Sequence, residues 1–62
     1  MWIKTQGGYL LNLDRVDYVY CDGGYTKAQR VDSTALHIIS EGNIIDNISD
    51  NIIRGTKIME VR

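Results

Sequence analysis

Hydrophobic and polar positions along this chain alternate in short runs separated by glycine-rich or polar breaks. "MWIKT" sets Trp2 and Lys4 on one side and Ile3 and Thr5 on the other, the period of two expected of a half-buried strand. "QGG" interrupts it and "YLLNL" follows, so two β-friendly runs around a glycine pair predict a hairpin. Asn12 and Asp14 in "NLDR" predict a turn, because such side chains bond their own backbone. "VDYVYC" resumes the alternation, with Val16, Tyr18 and Tyr20 on one face and Asp17, Val19 and Cys21 on the other.

Gly23 and Gly24 come next, in "DGG", and predict a tight reversal, since glycine takes positive φ without steric cost. Residues 22–33 fit either a returning strand or a mobile loop. "TALHIIS" predicts a further strand with Leu36 and Ile38 opposite His37 and Ile39, and "EGN" predicts a hairpin turn into "IIDNI". Ile45, Ile48 and Ile52 recur at three and four, as on a helix face, and Gly55 sits where a helix would stop. Asn47, Ser49, Asp50 and Asn51 are poor helix formers. The expectation is therefore a short helical turn around 49–54, then a closing strand in "TKIMEVR". Together these elements predict one small, mainly β (α+β) domain over residues 1–62. Five or six strands form an antiparallel meander or partly open barrel, with at most one short helix.

Length changes the picture. A chain of 62 residues buries only about 60 % of its unfolded surface, and small domains usually add disulfides, a metal or self-association. A single cysteine makes no internal bridge, and Cys21 with the single His37 falls short of a zinc site's three or four ligands. Self-association remains, and a small sheet with an uncovered face points the same way, so a homo-oligomer is expected. Lone Cys21 fits a reducing compartment. No run resembles a charged-then-apolar leader or the roughly 18-residue apolar stretch of a membrane span. A cytoplasmic protein with no membrane partner is expected. The formal net charge of −1 lacks the basic excess on which non-specific nucleic-acid binding depends.

Chemistry has few places to reside. A catalytic cysteine needs a base or cation within reach; His37 is the one candidate, and a strand around Cys21 would bury it as a small hydrophobe instead. Gly23-Gly24 lacks the spacing of a phosphate loop and the helix that must follow one. Asp14, Asp17, Asp22, Asp32, Asp46 and Asp50 fall in turns or on polar faces. No serine sits at a nucleophile elbow. No enzyme, cofactor or metal is expected.

The aromatic residues are more informative. Trp2, Tyr9, Tyr18, Tyr20 and Tyr25 all lie in the first 25 positions, whereas the second half is rich in isoleucine. That division predicts an aliphatic core from the C-terminal half, with tyrosines partly at a surface. Tyrosine offers large contact area, low entropy cost and a polar tip; cross-strand tyrosine pairs can equally do no more than stabilise a sheet. Tyr18, Tyr20, Tyr25, Lys27 and Arg30 are the candidate binding residues, the rings to pack or stack and the cations to pair with phosphate or carboxylate.

The opening "MWIKTQGGYLLNLDRVDYVY" resembles the start of short proteins encoded by Gram-positive bacteria and their phages, through its strand, glycine turn and "NLD-V--VY" segment. It is more loosely similar to the small flagellar FlbD family, from which the tail "DNISDNIIRGTKIMEVR" departs by lacking a long charged helix. The first resemblance implies an accessory protein of phage or mobile-element type that acts by binding a host component. The expectation is a binding protein that captures a host protein or a small anionic ligand, such as a signalling nucleotide, at an oligomer interface. A nucleic-acid module using exposed tyrosines on a sheet and a protein–protein adaptor are the rival readings.

Overall fold

Six strands and one helix make up the computed structural model, which describes residues 1–62. They run in the order β1 (Trp2–Lys4), β2 (Leu10–Asn12), a 3-10 turn (Leu13–Arg15), β3 (Tyr18–Asp22), β4 (Tyr25–Gln29), β5 (Leu36–Glu41), α1 (Ile45–Ile53) and β6 (Ile58–Glu60). The chain is mainly β with one short helix. The strands divide into two three-stranded sheets, ordered β2-β1-β6 and β3-β4-β5. Only the second is an antiparallel meander. In the first, β1 pairs antiparallel with β2 but parallel with β6; a parallel pair needs a long crossover, and here the whole second sheet and α1 lie between its two strands.

The N-terminal alternation folds as its pattern predicts. Ile3 and Thr5 are buried while Trp2 and Lys4 are exposed. Asn12 caps the 3-10 turn through its side chain, which accepts from the Asp14 N–H at 3.1 Å. Gly23 and Gly24, at φ +59° and +83°, form the two-residue reversal between Asp22 and Tyr25. Both angles lie where side chains with a Cβ are strained, and this pair suits the right-handed twist of a hairpin. Residues 25–29 are strand, and the segment after them is a turn: the Asp17 carboxylate accepts from the Val31 N–H at 2.8 Å, and the Gln29 amide donates to the Ser33 carbonyl at 3.2 Å.

The tail departs from its pattern in two respects. "EGN" leads into a helix, not into a strand "IIDNI", and that helix spans Ile45–Ile53 rather than a turn around 49–54. Thr26, fully buried and eighteen residues upstream of Ile44, explains the early start. Its hydroxyl donates to the Gly42 carbonyl at 2.7 Å and accepts from the Ile44 N–H at 3.0 Å, and the Asn43 side chain accepts from the Ile45 N–H at 3.1 Å. A tertiary anchor therefore nucleates the first turn, and burial of Ile48 outweighs the weak propensities around it. At the other end Gly55 stops the helix at φ +74°, with Gly55 N–H bonded to the Ile52 carbonyl and Thr56 N–H to that of Asn51.

The core consists of Ile3, Leu11, Leu13, Ala28, Ile39, Ile48 and Met59. It draws on almost every element, so the expected C-terminal aliphatic core is not what forms: Ile38, Ile52, Ile53 and Ile58 are exposed. The two sheets are stitched together at one corner, where Gln6 N–H donates to the Ile39 carbonyl at 2.9 Å and its side chain accepts from the Glu41 N–H at 2.7 Å.

Candidate functional site

The β3-β4-β5 sheet carries its larger side chains on the outside. Cross-strand register sets its outer face as three rows: Tyr18, Gln29 and Leu36; Tyr20, Lys27 and Ile38; Asp22, Tyr25 and Glu41. Tyr18, Tyr25, Leu36 and Ile38 are 42, 40, 45 and 45 % exposed, so this face stands largely in solvent. The inner face of the same strands holds Thr26, Ala28, Ile39 and Ser40, all buried, beside half-buried Val19. A bulge opposite Thr26 and Lys27 brings the adjacent residues Ile39 and Ser40 inward together, interrupting the strict alternation. Three of the four buried interior residues are thus small or hydroxyl-bearing, with Ile39 the one large side chain, and the exterior mixes rings and branched aliphatics with Gln29, Lys27, Asp22 and Glu41.

Polar contacts hold the outer face in shape. Tyr18 and Tyr20 rings lie 5.5 Å apart, tilted by 35°, within the range of favourable aromatic pairing. The Tyr20 hydroxyl donates to the Gln29 side chain at 3.0 Å. Across the edge, Tyr9 adds a fourth ring: its hydroxyl donates to the Ile38 carbonyl at 3.2 Å, and its ring centroid is 6.2 Å from that of His37. A shallow hollow of about 550 Å³ lies there, lined by Tyr9, Tyr25, Ile38, Gln6 and Glu41 among others.

Four of the five predicted residues, Tyr18, Tyr20, Tyr25 and Lys27, share this face. Arg30 does not; it lies beyond the end of β4 and donates to the Asp32 carboxylate at 2.8 Å. Lys27 is central but its side chain is only 17 % exposed, and its amine sits 3.5 Å from the Asp22 carboxylate. Leu36, Ile38, Gln29 and Tyr9 complete the surface and were not among the predicted site residues. The signal for the first two was the "LHI" alternation, which pairs them on one side without revealing that this side faces out.

Cys21 is exposed, not buried within its strand, because β3 lies at the sheet's edge. It does not meet His37. Cys21 lies opposite Thr26 and Ser40, whereas His37 lies opposite Ala28 and Val19, so a whole strand and two register positions separate them. No three His, Cys, Asp or Glu residues cluster in a way that could hold a metal ion, and no helix is long and apolar enough to cross a membrane. No family model matches the chain, and neither a curated protein nor a solved structure matches it.

Proposed function

We propose that this chain is a non-enzymatic binding protein whose working surface is the outer face of the β3-β4-β5 sheet and whose partner is another protein. The observation that carries the reading is the outer face of that sheet, where Tyr18, Tyr25, Leu36 and Ile38 stand 40–45 % exposed while the inside is filled by Ile39 with Thr26, Ala28 and Ser40. Exposed large hydrophobic side chains are costly to leave in water, and a contiguous set of them marks an interaction surface. Tyr9 and Tyr20, whose hydroxyls are hydrogen-bonded, meet a partner with little further loss of entropy.

Charge favours protein over a free anion or nucleic acid. Lys27 is engaged by Asp22, Arg30 by Asp32, and Glu41 adds a second carboxylate to the face. Each predicted cation thus has a carboxylate beside it, so the face carries no net positive charge with which to attract phosphate, the interaction on which nucleic-acid affinity depends. The phage-like opening of the chain implies a host protein as the partner, in a sequestering or adaptor role.

Ile38→Asp tests this, with Leu10→Asp on the other sheet as a control. A host protein retained by the wild-type chain is purified and its binding measured for all three forms. Loss at position 38, retention at position 10 and weak salt dependence are expected. Equal binding by all three, or affinity that collapses with salt, would overturn the reading.

A further inference from the structure

The two edges of the β3-β4-β5 sheet are treated differently by the fold. Along β5, the segment at residues 5–9 closes the edge: Gln6 N–H meets the Ile39 carbonyl, the Gln6 side chain meets Glu41 N–H, and the Tyr9 hydroxyl meets the Ile38 carbonyl. Nothing does this for β3. The two-residue Gly23-Gly24 turn closes the ladder at Asp22 and Tyr25, so Asp22, Tyr20 and Tyr18 direct their backbone groups to β4, and Val19 and Cys21 direct theirs outward. None of the backbone bonds outside the ladders, and none of the side-chain bonds, reaches Val19 or Cys21. The exposure of Cys21 shows the same opening from the side.

Protein edges are normally blunted by lysine, proline, a bulge or a very short strand. Tyr18–Asp22 has five residues and neither lysine nor proline. Beside its first half lies a groove of about 440 Å³, walled by Leu13, Val16, Val19 and Ile52 among others. An extended backbone with apolar residues along it is the occupant that this combination fits.

We infer that the occupant is the β3 strand of a second copy of this chain, paired antiparallel about a two-fold axis through Tyr20. Val19 N–H and C=O then meet those of the partner's Cys21, and Cys21 meets the partner's Val19, so all four outward groups of each copy are satisfied. A two-fold through Val19 instead would require the N–H of Asp17, which is already bonded to the Gln29 carbonyl at 3.1 Å. Charge agrees with the Tyr20 register: Asp22 falls opposite the partner's Tyr18, a hydroxyl donor, and Asp17 opposite the partner's Gly23, so no carboxylate faces another. The partner's glycine turn, which has no side chains to clash, is carried toward the mouth of the groove at Val16 and Ile52. Strand pairing alone buries less than the roughly 1,200–2,000 Å² of a stable interface, and these groove residues together with the two Tyr20 rings supply further apolar area. The product is one six-stranded sheet whose two outer faces run together. It uses the edge rather than the face, and so stands apart from the partner-binding reading above.

Sedimentation and crosslinking test it. The wild-type chain sediments at twice its 7.0 kDa mass across a dilution series. Cys21→Pro, which removes one outward N–H and leaves the β4 ladder intact, sediments at 7.0 kDa with an unchanged circular dichroism spectrum. If that variant does not fold, crosslinking decides the question. In a Cys21→Ser background, Tyr20→Cys places two thiols across a non-hydrogen-bonded pair at a Cα separation of about 4.5 Å, inside the disulfide range, and mild oxidation converts it to a covalent dimer. Lys27→Cys in the same background, a strand further from the axis, stays monomeric on a denaturing gel. A wild-type monomer at every concentration would overturn the inference and leave the edge to an extended segment of a different protein. A folded Cys21→Pro dimer, or no crosslink at position 20, would overturn it as well.

Discussion

The two sheets are built on the same alternation but fill their inner faces differently. In β2-β1-β6 the inward residues are Leu11, Ile3 and Met59, all large and buried, and the outward ones mix Trp2, Leu10 and Ile58 with Lys4, Asn12 and Glu60. In β3-β4-β5 the buried interior positions are Thr26, Ala28 and Ser40 with one large side chain, Ile39, and the exterior bears the tyrosines, Leu36 and Ile38. Large inward side chains contribute stability in proportion to the apolar area they remove from water. Large outward ones contribute it only once a second surface covers them. The first sheet therefore buries three large side chains from its three strands, and the contact role proposed for the second rests on what its outer face presents.

Substitutions can separate these roles, beginning with the interior. Ile3→Ala and Ile39→Ala, both at wholly buried positions, are each expected to cost about 2–5 kcal/mol. That is comparable to the roughly 3–5 kcal/mol a core of this size supplies, so thermal melts should show the variants largely unfolded. A well-folded Ile39→Ala would mean that the second sheet gains little stability from its inner face. Thr26→Val is next. It keeps shape but strips the Gly42 carbonyl and the Ile44 N–H of their partner, which should lower urea-unfolding stability by about 1–3 kcal/mol and fray the start of α1. Gly24→Ala, at φ +83°, should cost about 1–2 kcal/mol through backbone strain alone. The smallest stability effect is expected on the outer face. Ile38→Thr should change stability by no more than about 0.5 kcal/mol while abolishing partner capture; a large loss of stability there would place Ile38 with the core and erase the contrast.

Hydrogen bonding explains why the second sheet tolerates a polar interior. No buried side-chain nitrogen or oxygen lacks a partner. The Thr26 hydroxyl links β4 to the start of α1, and the Ser40 hydroxyl donates to the Glu41 carbonyl at 2.8 Å. Buried hydroxyls that are satisfied avoid the penalty of desolvation. Short inward side chains also leave room for Ile39 and Ile48, which fill that side of the core.

Legibility differed along the chain for physical reasons. The hairpin at Gly23-Gly24, the β1–β2 hairpin and the helix stop at Gly55 were readable because each is decided by backbone conformation within a few residues. The alternation in "VDYVYC" and "LHI" correctly grouped Tyr18 with Tyr20 and Leu36 with Ile38. Their outward orientation was not readable, since period two identifies faces without naming which is buried. Lys27 belonged to the predicted site and its neutralisation by Asp22 did not, because that pair depends on the hairpin bringing residues 22 and 27 to one side. Helix α1 was underestimated for a similar cause: Asn47, Asp50 and Asn51 argue locally against it, and the decisive contact comes from Thr26.

Local chemistry in the sequence therefore determined the short strands, the tight turns and the grouping of the tyrosines, because positive φ and side-chain alternation act without reference to distant residues. Tertiary structure alone decided the parallel pairing of β1 with β6, the length of α1, the face of each sheet that meets water and the edge left open. Those outcomes depend on which groups are satisfied and which surface is covered once segments far apart in the chain come together.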